Sequence, residues 1–230
     1  MTLHFPNLDH AADITAPSKN ATACQRHRGG VYRHFGKQML ERFFILLALP
    51  IVLPLIAFLA LLVVLDGGKP FYTQTRIGRD GRMFRIWKLR TMVKGADALL
   101  RDYLAANPAA RAEWDATQKL KDDPRITRIG RLLRKSSIDE LPQLWNVLIG
   151  SMSLVGPRPM MVEQQAFYYG QGYYALRPGI TGLWQISDRN ESNFADRVRF
   201  DDIYDRRVSL KTDISILIRT VGVVLRCTGY

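Results

Sequence analysis

The longest apolar run in the chain is Phe43 to Leu65, FFILLALPIVLPLIAFLALLVVL, 23 residues without a charge. As a straight helix it would reach ~35 Å, enough for a hydrocarbon core of about 30 Å. It lies too far in, and lacks a small-residue cleavage site, to read as a secretory signal, so a membrane location is expected. Pro50 and Pro54 fall mid-run. Each removes a backbone donor and clashes one turn back, and the halves on either side are too short to cross alone. Basic residues flank both ends, so both flanks read as cytoplasmic. That favours a re-entrant helix-break-helix over residues 37–66; a proline-kinked spanning helix is the alternative.

Residues 1–36 lack sustained periodicity and read as a mobile arm, and residues 67–230 as a cytoplasmic domain. Two short strands are expected near Phe71 to Thr75 and Met83 to Arg90, joined by a turn around Gly78 to Gly81. Alternation in the second puts Phe84, Ile86, Lys88 and Arg90 on one face. A base turned toward an apolar face needs an anionic partner, which singles out Lys88. Arg76, Arg79, Arg82 and Arg85 read instead as a stripe touching anionic lipid headgroups.

Residues 95–121 predict two helices divided at Asn107-Pro108. The segment LKTDISILIRTVGVVLR predicts an amphipathic helix with Ile214, Leu217, Ile218, Val221 and Leu225 as its apolar stripe, packed on the domain or lying in the membrane interface. The fold class expected is therefore α/β, mainly helical, and monotopic in the membrane.

Lys and Arg outnumber Asp and Glu by 33 to 21, a net charge of +12, so the partner is anionic: nucleic acid, membrane surface or phosphorylated substrate. Nucleic acid leaves the apolar run without a role. Two cysteines near opposite ends, Cys24 and Cys227, provide neither a disulfide framework nor a metal-ligand spacing. The phosphate-loop, dinucleotide and zinc-hydrolase motifs are absent.

Against this basic background stands SSIDELPQLWNVLIGSMSLVGPRP, residues 136–159, with Asp139 and Glu140 adjacent. Ile138, Leu141, Leu144, Trp145, Leu148 and Ile149 fall on one helical face. Ser137 to Glu140 fits a capping box, which would make Glu140 a partner of the first-turn amides, although Pro142 sits deep for that start. The other reading is chemical. An ionised carboxylate among Arg131, Arg134, Lys135 and Arg158 is a nucleophile toward phosphorus, and its neighbour can hold a divalent metal against substrate phosphates.

Three segments in order, KPFYTQTRIGRDGRMFRIWKLRTM, SSIDELPQLWNVLIGSMSLVGPRP and RPGITGLWQISDRN, resemble the motifs of the bacterial sugar transferases that prime polysaccharide assembly, the monotopic phosphoglycosyl transferases. The resemblance runs from about Lys37 to the C-terminus. It implies a catalytic domain on the inner leaflet of the bacterial cytoplasmic membrane, among its lipids. It also implies transfer of hexose-1-phosphate from a UDP-hexose to undecaprenyl phosphate, with Mg²⁺, releasing UMP.

By motif position Asp139 matches the nucleophile. Glu140 matches its dyad partner, with metal binding or assistance to the lipid phosphate as its role, so the metal would sit on Asp139 and Glu140. Lys88, Arg134 and Arg158 match phosphate-binding bases, and Arg177 matches a later motif near the nucleotide. Leu53 stands before Pro54 where many members have Ser, so the membrane break rests on Pro50 with Pro54. NPAARAEWDATQKLKDDPRIT and the RCTGY ending resemble the exopolysaccharide-priming branch, which uses galactose or glucose phosphate. A homodimer is compatible with all of this. The rival reading is a non-catalytic membrane adaptor of a polysaccharide assembly complex, in which the acid pair merely caps a helix.

Overall fold

A computed structural model describes residues 30–117, 120–187 and 194–225. Its first long element, α1, spans Lys37–Leu65 and follows a π-helical turn at Tyr32–Gly36. The end of the expected arm is therefore helical, and the rest of it, residues 1–29, lies outside the described residues.

The break expected at Pro50 and Pro54 is absent: α1 keeps helical structure through both. Proline's own φ is helical, so two prolines one turn apart can delete donors without forcing the chain out of the helix. Most of the apolar run is exposed, including Phe43, Phe44, Leu47, Ile51 and Phe58.

Both ends of α1 are tied to the rest of the protein. Ser153 Oγ donates to Glu41 Oε1 at 2.6 Å, and the Leu154 amide donates to the same oxygen at 3.1 Å. Lys37 Nζ pairs with Asp213 Oδ2 at 2.5 Å. Near the other end Arg90 Nη2 donates to the Val63 carbonyl at 3.0 Å. These polar ties flank apolar ones: Ile45 packs with Ile86, Val147 and Met152, and Leu59, Ala60 and Val63 pack with Leu89 and Leu133.

Strands β1 (Phe71–Ile77) and β2 (Met83–Leu89) form an antiparallel hairpin in which Tyr72 faces Lys88 and Arg76 faces Phe84. Asp80 and Gly81 both have positive φ, 56° and 73°, which closes the turn. Ile86 is buried as expected; Leu89, expected on the opposite face with Trp87, is buried too, because the C-terminal half of α1 covers it.

The expected helix pair is α2 (Ala96–Ala106) and α3 (Pro108–Thr117), and α4 (Arg128–Lys135) follows. Thr127 Oγ1 caps α4 by accepting from the Gly130 amide at 2.9 Å. Helix α5 (Gln143–Leu148) leads to β3 (Ser153–Val155), which pairs in parallel with β4 (Gly179–Thr181). The crossover between them carries α6 (Gly172–Ala175). Short α7 (Leu183–Ile186), α8 (Phe194–Arg207) and α9 (Leu210–Leu225) complete the described chain.

Of the two placements expected for its apolar stripe, helix α9 takes the outward one. Ile214, Leu217, Ile218 and Val221 are exposed, while Asp213 and Ile216 are the buried positions, with Tyr204 OH donating to Asp213 Oδ1 at 2.6 Å. The side that docks is chosen by the Lys37–Asp213–Tyr204 network, and the apolar side is left outward, as in a helix lying on a lipid surface.

Gly130 marks the closest approach of α4 to the chain leaving β2: a Cβ there would fall 2.1 Å from the Thr91 carbonyl oxygen. Gly130→Ala should therefore lower stability by about 1–3 kcal/mol, since backbone must move to admit it. A thermal melt of the purified variant reads this, and an unchanged midpoint would contradict the packing described.

Candidate active site

The acid pair sits between α4 and α5 in a single 3₁₀ turn, Ile138–Glu140. The capping box is not formed. Ser137 has left-handed backbone (φ 56°) and its side chain caps nothing, while α5 begins only at Gln143, after Pro142. Glu140 is thereby released from the expected amide contact to face β2. The left-handed residue reverses the chain out of α4 so that the next turn enters the interior.

Two links hold this turn against β2. Asn146, 1 % exposed, donates Nδ2 to the Arg85 carbonyl at 2.8 Å and accepts at Oδ1 from the Trp87 amide at 3.1 Å, as a paired strand would. One residue on, Lys88 Nζ reaches Glu140 Oε1 at 2.6 Å. Arg158 Nη2 approaches the same oxygen at 3.9 Å from the loop after β3, and its side chain is 38 % exposed. Arg134, from α4, donates Nε to Thr91 Oγ1 at 2.8 Å and interacts electrostatically with Asp139. Lys88, Arg134 and Arg158 thus converge on Asp139 and Glu140.

Arg177 does not join them through any contact among the described residues. Its Nε donates to the Gly150 carbonyl at 2.9 Å, and the Gln38 amide, assigned with its oxygen toward the guanidinium, accepts at 2.7–2.9 Å. Arg177 fastens the start of α1 to the α5–β3 loop. Of its motif, residues 188–190 lie outside the described residues.

Asp139 is 8 % exposed. Burial pushes its pKa up to about 6; Glu140 adds to the rise, while Lys88 and Arg134 pull against it. The carboxylate stays ionised near neutral pH because those cations offset much of the desolvation cost.

Two basic residues escaped the reading of the sequence. Arg76, placed in the headgroup stripe, is 9 % exposed and close enough to feel both Arg158 and Glu140. Arg197 of α8 is 2 % exposed and donates to the Arg158 carbonyl, with its guanidinium 5.4 Å from the Tyr173 ring centre and 6.0 Å from those of Tyr168 and Trp184. The only sequence signal for Arg76 was its even spacing from Gln74 and Tyr72, which puts it on one face with them; Arg197 had none.

Among the described residues no cluster of three or more His, Cys, Asp or Glu side chains could cage a metal. The dyad instead offers two adjacent carboxylates, a donor set that fits Mg²⁺, which binds through one or two carboxylates and completes its shell with water and substrate phosphate.

Comparison with known proteins adds to this geometry. The family model described as bacterial sugar transferase matches residues 32–227. A UDP-galactose-lipid carrier transferase of Erwinia amylovora is 50% identical over 181 residues, covering 78% of this chain and 38% of the relative. The exopolysaccharide production protein ExoY of Rhizobium meliloti is 43% identical over 198 residues, 83% of this chain and 88% of the relative. A UDP-glucose:undecaprenyl-phosphate glucose-1-phosphate transferase of Escherichia coli is 38% identical over 187 residues, 76% and 37% of the two chains. The chain thus spans under two fifths of the Erwinia and Escherichia relatives and most of ExoY.

The raised pKa predicts two linked effects of Asp139→Asn. Because the folded pKa exceeds the unfolded value, the protonated acid favours folding, and that contribution is lost as pH rises from about 4 to about 6. The asparagine variant should therefore be more stable than the parent at pH 7, by about 1–3 kcal/mol, with the difference fading near pH 4. Denaturant melts at the two pH values check this; a less stable variant at pH 7 would show that the cations outweigh burial.

Proposed function

The chain belongs to the bacterial sugar transferase family, and from that membership we propose that it is a priming phosphoglycosyl transferase moving hexose-1-phosphate from a UDP-hexose to undecaprenyl phosphate. The observation that carries the proposal is the buried Asp139 beside Glu140, surrounded by Lys88, Arg134 and Arg158. A carboxylate in that setting is desolvated, hence reactive, yet held anionic, and the bases are spaced to receive phosphate oxygens.

In the first step an Asp139 oxygen attacks the phosphorus that bears the sugar. The Asp139–phosphorus bond forms, the diphosphate bridge breaks, and UMP leaves with the bonding electrons. In the second step an oxygen of the lipid phosphate attacks the same phosphorus and the Asp139 carboxylate departs. Charge is unchanged on the carboxylate over the cycle, and no water is consumed.

Lys88 and Arg158 spread the charge that builds on the transferring phosphate. Glu140 keeps both bases aimed before substrate arrives. Mg²⁺, held by Asp139 and Glu140, would supply charge neutralisation for the diphosphate when bound. The donor favoured is UDP-galactose, because the Erwinia relative, at 50% identity, is named for galactose and the Escherichia relative, at 38%, for glucose.

The same reading makes α1 re-entrant rather than spanning, its helix continuous through Pro50 and Pro54, with the arm and the catalytic domain of residues 67–230 both on the cytoplasmic side and the domain resting on the inner leaflet. What supports it is that Glu41 and Val63, near opposite ends of the apolar run, are both hydrogen-bonded to residues of one domain. A domain on one side of a bilayer cannot hold both ends of a spanning helix, which lie about 30 Å apart. The outward apolar side of α9, with exposed Trp145 and Ile149 of the dyad segment, suits contact with lipid.

Asp139→Asn should abolish UMP release by membrane fractions supplied with a UDP-hexose panel and undecaprenyl phosphate, while the protein still inserts. Substantial residual turnover would remove Asp139 from the nucleophile's place, and a parent protein that adds no UMP release to the membranes would favour the adaptor reading. In the parent enzyme, kcat/KM should rise with pH through an apparent pKa of about 6. For topology, an impermeant maleimide applied to spheroplasts should label neither Cys24 nor Cys227; labelling of Cys24 alone would mean that α1 spans.

A further inference from the structure

Strand register brings a fourth base to the dyad. Directly opposed residues of an antiparallel pair point to the same face. Tyr72 opposes Lys88, so Tyr72, Gln74 and Arg76 at alternate positions of β1 share a face with Lys88. Lys88 is already committed to Glu140 on that face, and Arg158 enters beside it.

Arg76 is the most enclosed of these bases, at 9 % exposed. Its Nη2 donates to Gln74 Oε1 at 2.5 Å, and among the described residues no carboxylate lies within ion-pair distance of its guanidinium. Its Nε is buried without a hydrogen-bond partner. Burial, and next the neighbouring Arg158, hold its pKa below the usual arginine range.

Burying a guanidinium beside a second cation, with one amide hydrogen bond and only the more distant charge of Glu140 in return, costs free energy in the unliganded protein. An anion arriving between Arg76 and Arg158 would remove that cost. It would meet a planar fork of donors suited to phosphate oxygens.

We infer that Arg76 is a further phosphate-binding residue of the dyad site, oriented by Gln74 and acting with Arg158 on an oxygen of a phosphate ester or diphosphate. The inference rests on the transferase reading above. The ligand chemistry, a phosphate group, is common to the soluble donor and the lipid acceptor, and the two are separable by experiment. The half-exposed side chain of Arg158 marks the side from which either would enter.

Purified full-length protein in detergent, with Arg76→Gln and Arg76→Lys made in parallel, provides the test. Calorimetric binding of UDP and the KM for UDP-hexose report the donor arm; the KM for undecaprenyl phosphate reports the acceptor arm. Arg76→Gln should weaken one of the two arms by about tenfold, the size of one charge-assisted contact, and the affected arm names the phosphate. Arg76→Lys, which keeps charge but loses the fork, should fall between the parent and Arg76→Gln, and serves alone if the glutamine variant does not fold.

A purely structural Arg76 would lower kcat and the melting midpoint while leaving UDP affinity and both KM values within about twofold, and that result overturns the inference. It would do so with the parent still releasing UMP. A parent that neither binds UDP nor releases UMP instead defeats the functional reading itself, and the inference with it.

Discussion

An acid that must stay charged while out of water needs cations, and cations placed so close together need the acid. Asp139 and Glu140 with Lys88, Arg134 and Arg158 satisfy both requirements at once, and most of the surrounding structure serves to bring them together. The Lys88–Glu140 pair joins residues 52 positions apart in sequence. Asn146 holds the strand on one side of it, and the left-handed Ser137 turns the acids inward on the other. Thr127, Gly130 and Thr91 dock α4 so that Arg134 arrives from a third direction. A paired buried charge is weak evidence for stability, because desolvation consumes most of the attraction. Its retention here, with Asp139 shifted toward neutral pH, is better understood as a site tuned for a phosphate to complete.

The membrane helix belongs to the same construction. Leu59, Ala60 and Val63 of α1 pack on Leu89 and Leu133, with Ile129, Ile138 and Leu141 at the margin, so the residues flanking Asp139 on both sides rest against the membrane element. At its other end Glu41 receives Ser153 and the Leu154 amide from β3, which leads directly into the loop of Arg158. The proposed reaction between a soluble donor and a lipid would need both delivered to one turn of chain, and an apolar helix packed against that turn would shorten the path.

Much of this was legible in the sequence where local rules apply. The hairpin, the division at Asn107-Pro108 and the anionic partner owed to Lys88 follow from alternation, proline chemistry and the cost of an unpaired inward base, whereas the grouping of Lys88 with Arg134 and Arg158 at the dyad came only through the family resemblance. The capping box failed because Pro142 delays α5, and because Glu140 finds Lys88 from a distant strand that no local pattern reveals. Arg177 was assigned by motif, but Gln38 and the Gly150 carbonyl hold it at the start of α1. The stripe on α9 was read with two placements, on the domain or in the membrane interface, and only folding chose between them: Asp213 and Ile216 take the docking side, so the stripe faces outward. Arg76 and Arg197 were hidden among many arginines, and only folding separates those that face solvent from those that are enclosed.

The central claim is that Asp139 carries the sugar phosphate covalently between donor and acceptor. Intact-protein mass spectrometry after mixing purified enzyme with UDP-hexose, in the absence of lipid phosphate, tests it most directly. The account predicts an added mass of one hexose phosphate, mapped to Asp139, with UMP released in equal amount and the adduct discharged by undecaprenyl phosphate. UMP release that begins only when the lipid is present, with no adduct at any time, would contradict it.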